Sequence, residues 1–462
     1  MDNLWILTEE RPKNSVIKQI LDQYAIDFNS IVSYTKGISI KPIVVEGLFS
    51  FDYIVEGVTV QNIDKITIKI VSGSSSFLDY LVVKQANEPI NHALDNIIMA
   101  IEETKTSDQE SRNTGVYQRA SKFVFIDSYC PQAKKYMLYN EETATDLTKT
   151  PTNTNIFGTN MLLTLGVKFL GKSMSYFEKF ESLESLIALK AKMKLPNKTN
   201  TPILITKDSE TIYISGRLSK PKEAGNIGHD PNIGALSCIG YTIRKLGWEK
   251  EIVVTQHGVS QSYIDKSKRG NKCLFLFEKL GMRLQHLTMP TNIHLPEYYW
   301  SYSITSEKVA SILLHLTCQY SNIHGIYENH AGCERGYFKD SNDDLIALPK
   351  KDSLNNKLRI PDLVLRDDDV NEIYNVEGKL LKTLSQGLEE IQNYEPIETE
   401  YILHSYPTYT VDRWLTIYGG TLKAIPHEKV LLYLNADGNV YINKNAPDNI
   451  KRAFSNLGFI IN

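Results

Sequence analysis

The chain has 462 residues, 23% of them charged and 42% hydrophobic, with a formal net charge of −3; this is longer than one hydrophobic core usually serves, so two or three domains are expected. That composition excludes disordered, collagen-like and disulfide-scaffold chains. The five cysteines, Cys130, Cys238, Cys273, Cys318 and Cys333, form no C-x-x-C pair, so free thiols are expected rather than a zinc ribbon or a disulfide framework.

The opening MDNLWILTEERPK has no basic stretch leading into an apolar one, and no uncharged apolar run approaches the ~18 residues of a membrane span. A cytoplasmic protein with no membrane partner is expected. From about residue 40, the runs ITIKIVSG, FLDYLVV and IIMAIEETK read as strands; SDQESRNTGVYQRAS reads as a helix and KFVFID as a further strand. The Thr/Asn/Pro-rich TKTPTNTN reads as a linker and sets a first boundary near 155. The middle block holds the amphipathic SYFEKFESLESLIALKAKMK, then HDPNIGALSCIGYTIRKLGW, in which Asp230 and Pro231 suit the cap and first turn of a helix. A strand, EIVVTQ, and a basic loop follow. The last block starts with a helix, ITSEKVASILLHLTCQY, continues through RGYFKD, RIPDLVLRD and NEIYNVEGK, and closes with a helical LSQGLEEIQNY and a strand ETEYILHSY. Three domains follow, 1–155, 156–295 and 296–462, and the order of elements in the first returns in the third.

Charge is unevenly spread. Residues 1–160 carry 15 Lys+Arg against 20 Asp+Glu, residues 161–283 carry 20 against 11, and residues 284–462 carry 16 against 23. A basic middle between acidic flanks is what a polyanion-binding segment gives, because Lys and Arg make most phosphate contacts. A solvated basic surface gives the same pattern.

Metal-assisted phosphodiester hydrolysis needs carboxylates to hold a divalent cation and a group that helps form the nucleophile. An Asp on one strand and (Asp/Glu)-x-Lys on its neighbour meet that need, since period-2 alternation points i and i+2 the same way. Only two such tripeptides occur, Glu103-Thr104-Lys105 and Glu377-Gly378-Lys379. Each closes an expected strand. Asp362 precedes Glu377 by 15 residues and Asp79 precedes Glu103 by 24, and a Gln follows each Lys by 13 residues, Gln118 and Gln392. Asp95 competes with Asp79.

With literal Pro361-Asp362 and Glu377-x-Lys379, and Leu78-Asp79 with Glu103-x-Lys105, the chain resembles the PD-(D/E)XK nuclease superfamily, and within it the type II restriction endonucleases. The resemblance covers about 90 residues in each flank. It implies a mixed α/β (α+β) fold with two nuclease cores, each a mixed sheet flanked by helices, around a central basic DNA-recognition domain. It implies Mg²⁺ as cofactor, replaceable by Mn²⁺, held by Asp79 and Glu103 and by Asp362 and Glu377, with Lys105 and Lys379 orienting or activating water. An acidic residue on an earlier helix often assists in the superfamily; Glu46 or Glu56, and Glu328 or Glu334, are candidates. The implied activity is sequence-specific, Mg²⁺-dependent cleavage of double-stranded DNA, with a companion DNA methyltransferase in the same system but not as a stable subunit. Alternatives are a nuclease with one degenerate core, and a DNA-binding protein that does not cut.

For reading DNA, the richest stretch is Gln256, His257, Gln261, Lys266, Lys268, Arg269, Asn271 and Lys272, with Arg244 and Lys245 before it. Gln and Asn pair bidentately with adenine, Arg and Lys with guanine, and the remaining Lys hold phosphates. A solvated polar loop tip is the plainer account of the same residues. His324-Gly325-Ile326-Tyr327 lacks the Tyr-Ile-Gly partner of another nuclease class, the His and Cys spacings match no zinc site, and no phosphate-cradling glycine loop is present, so no NTP is expected.

Overall fold

A computed structural model describes the chain except for residues 74–77, 90–95, 105–114, 140–150, 194–202, 219–230, 267–271, 294–301, 304–305, 329–335 and 462. The protein is mixed α/β, with several sheets and helices. It divides into two compact units: residues 1–72, 83–89 and 302–462 form the first, and residues 73–82 and 90–301 the second. This grouping differs from the three consecutive blocks expected from composition.

The first unit opens with β1 (Asp2–Thr8), α1 (Asn14–Phe28) and the long strands β2 (Val32–Val45), β3 (Leu48–Val60) and β4 (Ile63–Ile70). β2, β3 and β4 pair antiparallel in succession, and β1 lies parallel to β4. These strands join the C-terminal part of the chain through side-chain and backbone bonds that sequence order hides. Gln319 Nε2 donates to the Ile40 carbonyl at 2.8 Å. The Phe49 amide donates to the Gly438 carbonyl at 2.9 Å and that of Ile460 to the Gly47 carbonyl at 3.1 Å.

β5 (Ser72–Gly73) and β6 (Tyr80–Gln85) carry the chain across the division between the units. The second unit then holds β7 (Ile97–Thr104), α2 (Gly115–Tyr129), β8 (Lys134–Tyr139), α3 (Asn153–Thr164) and β9 (Val167–Leu170). β7 neighbours β6, and β7, β8 and β9 run parallel. KFVFID, expected as a strand, is the C-terminal half of α2. Its Phe123, Val124, Phe125 and Ile126 are all buried, so a helix covered on several sides presents the same continuous apolar run as a buried strand. The expected linker is in part a helix start, with the Thr152 hydroxyl accepting from the Asn155 amide at 3.2 Å. In SYFEKFESLESLIALKAKMK only Leu183–Ala191 is helical, as α4, entered through a Ser182–Ser185 capping box. A second sheet, β10 (Leu204–Lys207), β11 (Thr211–Ser215), β12 (Glu251–Thr255) and β13 (Met282–Leu284), follows in that order, with α5 (Pro231–Lys245), α6 (Gln261–Lys266) and α7 (Lys272–Lys279) between its strands. Pro231 opens α5 as expected; Asp230 lies outside the described residues.

After β14 (Tyr302–Ser303) come α8 (Val309–Cys318), β15 (Ile323–Glu328), the hairpin β16 (Tyr337–Lys339) and β17 (Leu345–Ala347), β18 (Leu363–Asp367) and β19 (Glu372–Leu380). A helical run begins with α9 (Leu384–Glu390) and continues through α10 (Glu395–Ile397), a π turn and α11 (Leu403–Ser405). β20 (Thr410–Tyr418), β21 (Val430–Leu434), β22 (Val440–Ile442) and α12 (Asp448–Asn456) end the chain. The sheet order is β15-β18-β19-β20-β21-β22. β18 and β19 are antiparallel, whereas β19, β20 and β21 are parallel and buried on both faces. ETEYILHSY, expected as a strand, belongs to the helical run. Its Ile402 and Tyr406 pack into the apolar cluster with Ile391, Tyr394 and Leu415, and the strand that follows is β20.

Cys130, Cys238 and Cys318 are buried and form no disulfide; the Cys273 side chain and Cys333 lie outside the described residues. Among the described residues no helix is long and apolar enough to cross a membrane.

Candidate active site

The site in the first unit is built by strand register. Leu363 pairs with Val376 across the β18–β19 ladder, so Asp362, one step before β18, lies beside Glu377. Asp362 Oδ2 accepts the Gly378 amide at 3.0 Å. A Cβ at Gly378 would sit 3.4 Å from that carboxylate oxygen, 3.2 Å from Ser311 Oγ and 3.0 Å from the Glu307 carbonyl, so the middle position of the tripeptide admits little more than glycine.

Alternation along β19 puts Asn375, Glu377 and Lys379 on one face, and the helical run meets them with Glu398, Tyr394 and Glu390. Asn375 Nδ2 donates to Glu398 Oε1 at 2.7 Å, the Tyr394 hydroxyl donates to Glu377 Oε2, and Lys379 Nζ reaches Glu390 Oε2 at 2.7 Å. The two periods match: two strand residues advance about 6.6 Å and four helical residues about 6 Å. Lys379 Nζ also donates to Glu377 Oε1 at 2.6 Å. A Cβ at Gly387 would lie 2.9 Å from Lys379 Cγ; this glycine lets α9 rest on the lysine stem.

Burial and the Asp362 charge push the Glu377 carboxyl up to about 8 against the opposing pull of Lys379 and Tyr394. Lys379 is held charged above its usual range by hydrogen bonds and attraction from Glu377 and Glu390, which outweigh its own burial. Hydrogen bonds from Lys379 and Gln386 bring Glu390 down to about 2 despite its burial. Asp362, Glu377, Glu390 and Tyr394 line an open cleft of about 610 Å³ together with Lys350, Lys351, Lys357 and Arg359.

Glu328, one of the two candidates for an accessory acid on an earlier helix, lies instead on strand β15 and bonds Arg11 Nε at 2.7 Å; with Asp362 it lines a second, much smaller pocket. Glu334 lies outside the described residues. Gln392 is exposed and contributes its backbone carbonyl to Arg413 at 3.2 Å. The residues that reach the site are Glu390 and Tyr394, which sequence reasoning missed. The N-x-E-x-K of β19 followed by E-x-x-x-Y-x-x-x-E was the available signal. Also missed were Lys350, Lys351, Lys357 and Arg359, a basic run just ahead of Pro361-Asp362.

In the second unit Asp79 Oδ2 accepts the Glu103 amide at 2.7 Å. The Tyr80 hydroxyl donates to Glu103 Oε2 at 2.9 Å. Glu103 is buried. Lys105, Asp95 and the Gln118 side chain lie outside the described residues. Glu46, at the β2–β3 turn, and Glu56, on β3, belong to the first unit.

Of the residues expected to read DNA, three are occupied inside the fold. Arg244 donates to the carbonyls of Leu280, Trp248, Lys250 and Gly281. His257 accepts the Val259 amide at Nδ1 and bonds the Gln285 carbonyl through Nε2, each at 3.0 Å. Gln261 brackets Thr288, accepting its amide at 2.8 Å and donating to its carbonyl at 3.2 Å. Lys245 lies over the Tyr241 ring at 5.1 Å and 4.0 Å from Asp127. Gln256 and Lys266 are exposed; Lys268, Arg269, Asn271 and the Lys272 side chain lie outside the described residues.

No family model, curated protein or solved structure significantly matches this chain. Among the described residues no group of three or more His, Cys, Asp or Glu side chains is arranged to hold a metal ion. The fit to Mg²⁺ therefore rests on two carboxylates. Mg²⁺ commonly binds one or two carboxylates and completes its shell with water and substrate phosphate. The Asp362–Glu377 pair fits that demand, because a cation beside them would offset the Asp362 repulsion that, after burial, raises the Glu377 carboxyl.

Proposed function

We propose that this chain is a Mg²⁺-dependent endonuclease of double-stranded DNA, of the PD-(D/E)XK type and the type II restriction class, with its chemistry at Asp362, Glu377 and Lys379. The observation that carries this reading is one cleft lined by the carboxylates of Asp362 and Glu377 and by four exposed cations, with the buried Lys379 paired to Glu377 beneath it. Cations suit a phosphodiester backbone, and paired carboxylates suit the metal. Bound there, Mg²⁺ would polarise the scissile phosphate and ease deprotonation of water.

Asp362 and Glu377 would hold the metal. Tyr394 fixes one Glu377 oxygen and Lys379 the other, which aims the carboxylate. Lys379, kept charged between Glu377 and Glu390, is a hydrogen-bond donor rather than a base; it orients the attacking water and stabilises negative charge as the phosphorus becomes five-coordinate. Lys350, Lys351, Lys357 and Arg359 bind flanking phosphates.

A second active core is favoured by Asp79, which accepts a backbone amide from the Glu103 strand as Asp362 does from the Glu377 strand, and by the same strand sequence in both sheets, an Asp-bearing strand, the Glu strand, then two parallel strands. Incubating the protein with supercoiled plasmid and Mg²⁺ or Mn²⁺ tests the proposal. Discrete fragments, lost in chelator and in Glu377→Gln, support it; intact plasmid, or cutting in chelator, refutes it.

A further inference from the structure

The segment between β17 and β18 is a tight hairpin whose tip the chemistry above leaves unused. Lys351 and Lys357 face each other in an antiparallel bridge. Asp352 closes the turn, its amide donating to the Asn356 carbonyl at 2.9 Å and its Oδ1 accepting the Asn356 amide at 2.7 Å. Asn355 occupies the left-handed region at φ 67°, which asparagine tolerates better than most residues. The base is anchored, since Leu348 and Leu358 are buried in the core cluster that includes Tyr394. The tip is anchored as well, with Ser353 donating to Glu400, on the helical run that carries Glu390 and Tyr394, at 2.5 Å.

On this held frame Leu354 is 79% exposed, and Asn355 and Asn356 beside it are exposed too. One exposed leucine is ordinary on a protein surface. Here it stands next to two asparagines at the tip of a hairpin whose base carries the cleft's cations. We infer that the hairpin 351–357 reads base edges next to the bond that is cut, with Lys351, Lys357 and Arg359 on the backbone and Leu354 and Asn356 in the groove. This rests on the endonuclease reading of the same cleft and adds where its specificity resides.

A two-stranded ribbon fits the major groove, and asparagine pairs bidentately with adenine there. An apolar tip residue can touch a thymine methyl or wedge at a base step. Reach agrees as well: Leu354 at the tip is eight residues from Asp362, at most about 28 Å of extended chain, so the tip addresses only base pairs within about one turn of the duplex from the cleaved phosphate.

The test uses the full-length protein, Mg²⁺ and a pool of duplexes randomised around the cleavage position, with cut ends sequenced for wild type, Asn356→Ala and Leu354→Ser/Asn356→Ala. The readout is the ratio of cutting at the preferred sequence to cutting at single-base changes. For the variants that ratio should fall by about tenfold or more at positions within about one turn of the duplex from the cut. An unchanged ratio overturns the inference while leaving the nuclease standing. Wild type that cuts without preference also overturns it, and wild type that cuts nothing overturns the endonuclease reading itself. Asn356→Ala alone, an exposed truncation, carries the test if the double variant melts early.

Discussion

Glu103 and Glu377 sit in similar backbone settings with different surroundings. In both, an Asp at the head of one strand accepts an amide from the neighbouring Glu strand, at 2.7 Å for Asp79 and 3.0 Å for Asp362. Around Glu377 the helical run adds Tyr394 and Glu390, and the hairpin segment adds four basic residues. Around Glu103 the tyrosine comes instead from the Asp strand, as Tyr80, and the adjacent Glu102 is taken by Lys122 at 2.9 Å. Strand register alone thus builds a carboxylate pair, whereas the elements packed on it decide what that pair can do.

The largest expected effect separates the two cores directly. Lys379→Ala should slow cleavage of one strand by at least about 100-fold, so that supercoiled plasmid stops as nicked circles; Lys105→Ala should do the same on the other strand, and the double variant should bind without cutting. If Lys379→Ala abolishes all cutting and Lys105→Ala changes nothing, the Glu103 core is structural. If Lys379→Ala linearises plasmid at the wild-type rate, the Glu377 core is not the active one.

Metal binding should be coupled to proton release. Glu377 sits near 8 without metal, so binding Mg²⁺ between about pH 6 and 8 must expel its proton, and affinity should rise with pH across that range. Calorimetry in buffers of different ionisation enthalpy measures the release; none, or an equal release in Glu377→Gln, counts against this site.

Stability without metal should carry the same signature. Between the ordinary glutamate range and about 8 the folded state holds a proton on Glu377 that the unfolded chain has lost, so stability falls as pH rises through that window, by an amount on the order of a few kcal/mol. Lys379, raised by its carboxylate partners, stays charged throughout and adds no slope. Glu377→Gln should flatten the denaturant midpoint against pH, and an unchanged slope would place the titrating group elsewhere.

Tyr394→Phe removes the hydroxyl that lowers the Glu377 pKa. The expected result is a modest loss of rate, about tenfold or less, with the pH–rate profile shifted to higher pH; a loss with no pH shift would mean that the phenol serves packing alone. The smallest effect is expected in the other unit. Lys266, Lys268 and Arg269 changed together to Ala should weaken DNA affinity and reduce the slope of log K against log salt by up to ~0.9 for each phosphate that is no longer neutralised, and an unchanged slope would move the interface to the cleft and its hairpin.

By itself the sequence determined the features that depend on near neighbours. The β18–β19 hairpin, the side-by-side placement of Asp362 with Glu377, the i, i+2 relation of Glu377 to Lys379 and the Pro231 helix start all follow from period and turn chemistry over a few residues. Tertiary structure decided the rest, because those features depend on partners distant in the chain or on how deeply a segment is buried. KFVFID reads as a strand because a helix buried over four successive residues, Phe123 to Ile126, shows no amphipathic period, whereas ETEYILHSY is a helical segment that buries Glu398, Ile402 and Tyr406 at every fourth position, a contact face that only tertiary packing reveals. Arg244, His257 and Gln261 read as polar DNA contacts, yet backbone groups up to 37 residues away claim them. Glu390 and Tyr394, rather than Gln392, meet the site, since only the docking of the helical run on β19 selects which of its faces turns inward.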